Sequence, residues 1–223
     1  MDTTDRSAIR LHIEKVATHY RETEILQQQW FDQNITAKLA GHATQNTLII
    51  CEHQPVYTLG KSGKLENLLF DPERVGAALM FTNRGGDITF HGPGQLVAYP
   101  IFDLDTLNIG VASFVSALEE IVIRTIAEYG LSGNRIDGAS GVWLTDGAEP
   151  RKICAVGLKV SRLCTMHGIA INVNTDLKFF SYIVPCGLPD KGVTSLAKEL
   201  GQTVDFEHFK DRFIHHFLNF FHP

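Results

Sequence analysis

The stretch MFTNRGGDITFHGPGQLVAYPIFDL, residues 80–104, carries apolar, β-branched runs broken only by glycine, proline and short polar spacers. MFTNR and DITFHG predict two short strands around Gly85-Gly86, and QLVAYPIFDL (95–104) predicts a longer one. No helical period separates them. Strands that follow one another without helices argue against strict βαβ alternation. They favour an α/β or α+β domain with a mixed, largely antiparallel sheet flanked by helices. Within this stretch RGGDITFHGPGQ holds four glycines beside Arg84 and His91. Glycine weakens a strand, so such a cluster serves either tight turns or close approach of a ligand or another chain to the backbone.

Outward from it, the pattern continues. SAIRLHIEKVA (7–17) and NTLIICEH (46–53) predict strands, with YRETEILQQQWFDQNITAKLAG (20–41) as a helix closed by Gly41 between them. QPVYTLGKSGKLENLLF (54–70) is rich in glycine and lysine and predicts a loop. DPERVGAAL (71–79) opens with Asp-Pro, the start of a short helix. Apolar residues at 111, 114, 115, 118, 121, 122, 126 and 129 mark an amphipathic helix that Gly130 ends. GVWLT and RKICAVGLKVS, either side of Asp146-Gly147, predict a hairpin with a wide loop. HGIAINVN (167–174) predicts another strand and FEHFKDRFIHHFLNFF (206–221) a final amphipathic helix. There is no repeat, low-complexity segment or linker, so residues 1–223 are expected to form a single domain.

Composition narrows the function. Net charge is −5 with 44% hydrophobic and 20% charged residues, which excludes a disordered chain and gives no basic field for nucleic acid. MDTTDRSAIR has no apolar core of a leader, and no run reaches the ~18 apolar residues of a membrane span. A cytoplasmic protein with no membrane partner is expected. Residues 151–175 contain no acid but carry Arg151, Lys152, Lys159 and Arg162. Such a run suits either an acidic partner or a solvated strand face.

The four cysteines form no C-x-x-C pair, which argues against a disulfide framework or a zinc site. Cys51 and Cys154 sit inside apolar strands and Cys164 in the turn after KVSR, all as structural thiols. Cys186 differs: Pro185 and Gly187 flank it in SYIVPCGLPDKGVTSL, a loop that presents a side chain. A free thiol is only a few per cent thiolate at pH 7, so a reactive Cys186 needs a cation or base. Lys152, Lys159, Lys191, His91 and His167 are the candidates, and spacing does not choose among them. One of Arg151 and Lys152, neighbours on a strand, is expected to point inward. The histidines of the tail match no metal-ligand spacing, and no metal is expected.

The pattern R-G-G-x-x-T-[FY]-H-G-P-G-Q resembles the signature of the lipoyl(octanoyl) transferases. EHQPVYTLG (52–60), RKICAVGLKVSR with MHGIAINVN, and VPCG…VTSL resemble three further segments of that family, so the likeness runs from about Gln28 to Leu196. It implies the fold of biotin and lipoate protein ligases, related to the class II aminoacyl-tRNA synthetases. It implies transfer of an octanoyl or lipoyl group from acyl carrier protein to a lysine of lipoyl domains, without ATP or another cofactor. Acceptors would be the acyltransferase subunits of 2-oxoacid dehydrogenases and the glycine cleavage H protein. The resemblance puts the acyl-accepting thiol on Cys186 and the lysine that lowers its pKa on Lys152. It puts substrate-binding positions on Arg84, Gly85, Gly86, Asp87, Ile88, Thr89, Phe90 and His91. Two further groups fall on Ala155, Val156 and Gly157 and on Gly168, Ile169 and Ala170. On this reading the glycines of 84–95 let main chain wall a narrow acyl tunnel, and Gly86→Val would block it.

Overall fold

The computed structural model describes residues 9–184 and 192–221. Among these, β1 (Arg10–Ile13) leads into α1 (Tyr20–Leu39), followed by β2 (Thr47–Cys51), β3 (Val56–Leu59), β4 (Ala78–Phe81), β5 (Ile88–His91) and β6 (Gln95–Ile101). Then come α2 (Val111–Ala127), β7 (Gly133–Ile136), β8 (Ala139–Leu144), β9 (Arg151–Ser161) and β10 (Cys164–Asn172). The two-residue β11 (Gly192–Val193), α3 (Leu196–Leu200) and α4 (Phe206–Phe221) complete the order.

The main sheet runs β1-β2-β6-β10-β9-β8-β7, with β11 added to β9, and a second sheet runs β4-β3-β5. Pairing is antiparallel except for β1 on β2, β11 on β9 and β3 on β4. The expected mixed, largely antiparallel architecture is therefore present. Period-two alternation assigns the two faces of the main sheet. Leu48 and Ile50 of β2, Leu96 and Ala98 of β6, and Ile169 and Ile171 of β10 join the core under α2 and α4. Ile49, Val97, Tyr99 and Ala170 turn the other way, into a smaller core against Phe31 of α1. A third cluster around Tyr57, Ile88 and Phe90 closes the small sheet. No helix among the described residues is long and apolar enough to cross a membrane.

Several local expectations change. Residues 54–70 are not all loop: VYTL forms β3, buried at all four positions, and 65–67 make a 3-10 turn. Its four residues sit between Pro55 and Gly60, too short a run to show a period. The strand predicted over MFTNR starts and ends earlier, at Ala78–Phe81, while DITFHG gives β5, and β3 lies between the two in the small sheet. The first strand shrinks to four residues, and GNRI adds an unexpected β7. Cys164 opens β10; the turn is made by Arg162 and Leu163, at φ 51° and 60°. Arg151 and Lys152 do point apart, as strand neighbours must. Arg151 is held by Glu199 at 2.6 Å and Asp146 at 2.9 Å, so the acid-free run presents no common basic face.

Candidate active site

A cavity of about 300 Å³ lies between the two sheets. Its long wall is the β9–β10 ladder, where Ala155 pairs with Ala170, Val156 with Ile169 and Gly157 with Gly168. Lys152 lies on the same strand, five residues from Gly157, a separation of about 16 Å along a β-strand. The opposite wall is the loop before β5 and β5 itself. Of the sequence-predicted positions, the fold brings Arg84, Gly86, Asp87, Ile88, Thr89 and His91 to the cavity, together with Lys152, Ala155, Val156, Gly157, Gly168, Ile169 and Ala170. Gly85 and Phe90 are not on its lining. Gly85 donates its N–H to the Leu158 carbonyl at 2.9 Å, sewing the loop to β9. Phe90 turns to the far side of β5 and stacks on Phe179 at 4.4 Å. Cys186 and Lys191 lie outside the described residues.

Lys152 reaches over the ring of Trp143, 4.6 Å from its centroid. The half-buried lysine therefore rests on an aromatic face at the cavity lining. Its backbone is fixed from both sides. Trp143 of β8 is its register partner on one edge, and Val193 of β11 on the other. The Thr194 N–H donates to the Lys152 carbonyl at 3.0 Å. The strand that follows residues 185–191 is thus laid directly against Lys152. On the other flank, the Val184 N–H donates to the Asn67 carbonyl at 2.8 Å, and Asn67 holds the carboxylate of cavity residue Asp87.

Arg84 is 7% exposed, and its guanidinium braces the glycine loop. Nη2 donates to the Thr58 carbonyl at 2.6 Å, Nε to Thr58 Oγ1 at 3.1 Å and Nη1 to the Gly85 carbonyl at 2.9 Å. Close backbone approach accounts for two of the glycines at this site. Gly85 and Gly157 face each other closely enough that a Cβ on either has only 3.1 Å to a backbone oxygen. Gly86 has φ +82° and faces the cavity. Valine at Gly86 would be strained by that φ whatever occupied the cavity, so Gly86→Val reports backbone strain as well as blockage.

The inner end of the cavity holds groups that the sequence reading left unassigned. Tyr20 at the start of α1 and Tyr99 of β6 line it beside His91 and His167. Tyr20 stacks on His91 with centroids 5.9 Å apart, and His53 lies 5.8 Å from His91. His53 Nδ1 faces the Thr18 carbonyl at 3.4 Å and so carries the proton; its Nε2 accepts from the Tyr99 hydroxyl at 2.8 Å. His167 Nε2 meets Asn83 Oδ1 at 2.7 Å. A tyrosine inside the apolar run LVAYPI was the available signal, since a buried hydroxyl needs a partner.

Burial pushes these imidazoles toward the neutral form: His53 to about 4, His167 to about 3 and His91 well below the ordinary range. Each binds its proton less readily folded than unfolded. Their contribution to stability is therefore complete above about pH 6.5 and declines as pH falls, by up to about 1.4 kcal/mol per pH unit for each histidine. The urea midpoint is expected to drop between pH 6.5 and 5, before most carboxylates titrate, and His167→Gln should flatten that slope. An unchanged midpoint across this interval would contradict the buried-neutral assignment.

Cys51, Cys154 and Cys164 are buried, as the sequence predicted, and burial raises all three thiols, Cys164 to about 11. None is a thiolate at neutral pH. Iodoacetamide on the native protein at pH 7 should leave all three unlabelled by peptide mass mapping; label on any of them would show that its strand opens.

Residues 24–218 match the family model for the lipoyl protein ligase A/B catalytic domain. An octanoyltransferase of Bacteroides fragilis is 51% identical over 197 residues, covering 86% of this chain and 89% of that protein. Among solved structures, a bipartite lipoate protein ligase from Thermoplasma acidophilum superposes with TM-score 0.71 at 17% identity, over 96% of this chain and 83% of that one. A biotin protein ligase from Aquifex aeolicus superposes with TM-score 0.54 at 13% identity, over 95% and 70%. At such identities the two ligases speak for the fold alone, which is the one the motifs implied.

Proposed function

Because this chain belongs to the lipoyl protein ligase A/B catalytic domain family, we propose that it is an octanoyltransferase that moves an octanoyl or lipoyl group from acyl carrier protein to a lysine of lipoyl domains. The whole chain, 1–223, serves as one catalytic domain. The observation that supports the mechanism is the pairing of β11 with β9, which sets Val193, two residues after 185–191, opposite Lys152. Cys186 follows Val184 by two residues, a covalent reach of at most about 7 Å. Val184 is itself tied to Asn67, beside the cavity carboxylate.

On this reading Cys186 is the nucleophile and Lys152 its cationic neighbour. An ammonium beside a thiol lowers its pKa by roughly 1–3 units. The thiolate attacks the thioester carbonyl of the octanoyl carrier. A new C–S bond forms, the carrier's C–S bond breaks, and the departing carrier sulfur takes a proton from Lys152. The acceptor lysine amine then attacks the Cys186 thioester, forms the amide and loses a proton to the now neutral Lys152, while the Cys186 thiolate leaves. One thioester is exchanged for another, so no nucleotide is needed. The cavity wall between Lys152 and Gly157 receives the acyl chain. Eight carbons buried at ~0.8 kcal/mol per CH₂ favour binding by about 6 kcal/mol before ordering costs. The acceptors are the lipoyl domains of 2-oxoacid dehydrogenase acyltransferase subunits and the glycine cleavage H protein.

The test is octanoylation of a purified lipoyl domain by this enzyme and octanoyl carrier protein, followed by intact mass. Transfer in the absence of ATP is expected. Transfer only with ATP and free octanoate would replace this reading by a ligase of the same fold.

A further inference from the structure

A single line of buried side chains crosses the molecule from Arg84 to the strand after 185–191. Thr58, His91, Gln95, Asn172 and Thr194 are each 6% exposed or less. Burying five polar residues in a row costs free energy unless every one is satisfied, and here each is.

The direction of each hydrogen bond follows from the ends. The Thr194 carbonyl can only accept, so Asn172 Nδ2 donates to it, at 3.0 Å. Asn172 Oδ1 is then the acceptor for Gln95 Nε2 at 2.9 Å, and the second proton of that amide goes to the Phe90 carbonyl at 3.1 Å. Gln95 Oε1 is left to accept, and His91 Nδ1 donates to it at 2.8 Å. His91 therefore carries its proton on Nδ1 and offers a bare Nε2. At the other end, Thr58 Oγ1 accepts from Arg84 Nε and Nη2, at 3.1 and 2.9 Å, which leaves its hydroxyl proton for His91 Nε2 at 3.4 Å. All donors point one way, from Arg84 to Thr194.

We infer that Gln95 and Asn172 are positioning residues, which orient this one-way relay so that His91 is held in its Nδ1–H tautomer and Thr194 is held beside Lys152. Thr194 is clamped three times: by Asn172 on its carbonyl, by the Lys152 carbonyl on its N–H, and by Glu199 on its hydroxyl at 2.5 Å. Removing the Asn172 contact frees the start of the chain that leads back to 185–191. An unpartnered acceptor at Thr194 would be repelled by any second acceptor brought against it.

Two measurements test this, and only the second rests on the acyl-transfer reading. The first is the ¹⁵N spectrum of His91 in the wild-type protein at pH 7. Protonated Nδ1 and unprotonated Nε2 are expected; the reverse tautomer overturns the relay. His53, Tyr20, Arg84 and His167 also act on this ring, so Gln95→Glu isolates the contribution of the amide. A carboxylate against Nδ1–H favours the imidazolium, and His91 should then titrate within pH 5–8. No change in His91 would count against the contact.

The second is the rate of acyl-enzyme formation in Asn172→Asp. The carboxylate still accepts from Gln95 but repels the Thr194 carbonyl. A fall in kcat of about 100-fold with little change in KM for the octanoyl carrier is expected from misplacement of about 1 Å. Wild-type kcat in a folded Asn172→Asp overturns the positioning role. If the variants do not fold, the wild-type tautomer alone decides. If wild type shows the expected tautomer yet transfers no octanoyl group, the relay stands and the proposed function falls.

Discussion

Lys152→Met is expected to lower acyl-enzyme formation at pH 7 by at least about 10³-fold. Methionine keeps the length needed to cover the Trp143 ring, so the loss reports charge and proton transfer more than packing. Two contributions combine. Without the ammonium the Cys186 thiol returns toward its ordinary pKa near 8.5, and the thiolate fraction at pH 7 falls to a few per cent. The departing carrier sulfur also loses its proton donor, a contribution of about 10²–10⁴-fold. The pH dependence separates them. A thiol with a depressed pKa is ionised throughout the range above that value, so wild-type alkylation is expected to flatten from neutral pH upward. In the variant alkylation should climb toward pH 9, so the deficit in thiolate narrows with rising pH while the deficit in proton transfer does not. Iodoacetamide rates for Cys186 across pH 5.5–9 would show this, and identical profiles for the two proteins would remove Lys152 from the activation step.

Gly168→Ala is expected to be the most destabilising single-methyl change in the cavity wall. A Cβ there would lie 2.0 Å from the Ala98 carbonyl oxygen and 2.8 Å from Pro100 Cδ. Ala98 is a rung of the β6–β10 ladder, paired with Ile169, so the clashing atom is backbone and cannot rotate away. The two central strands of the main sheet must separate locally. A loss of about 3 kcal/mol or more follows from overpacking of this severity, a fall in Tm of roughly 6–12 °C. Gly192→Ala is the control. Its new methyl meets nothing closer than 3.4 Å, and its cost should stay within about 0.5 kcal/mol. Equal melting temperatures for the two variants would mean that β6 and β10 are not packed as described.

Part of this architecture is legible in the amino-acid sequence. The sheet class was legible because strands such as NTLIICEH and QLVAYPIFDL are long and apolar, and α2 because its period spans seventeen residues. β3 and β7 were not, because a run of only four residues leaves no period to detect. At the site, the glycine-rich loop could be singled out, but not the reason for each glycine. Gly168 looks like a ligand-facing residue in MHGIA, yet what forbids a side chain there is the backbone of β6. Only strand register supplies that neighbour. The pairing of Lys152 with the strand after 185–191 was equally invisible, since forty-one residues separate Lys152 from Val193 in the chain. Likewise the Gln95–Asn172 bond links positions seventy-seven residues apart. Gln95 and Asn172, at the ends of otherwise apolar strands, did carry a signal: a buried amide implies a network, though not its members.

The central claim is that the acyl group passes through a covalent thioester on Cys186. Its most direct test is the intact mass of the enzyme after brief mixing with octanoyl carrier protein and no ATP, for wild type and Cys186→Ser. A gain of one octanoyl group in wild type alone, cleared by adding a lipoyl domain, is the predicted result. No gain in wild type while octanoyl still reaches the lipoyl domain, or an equal gain in Cys186→Ser, would contradict it and remove Cys186 as the nucleophile.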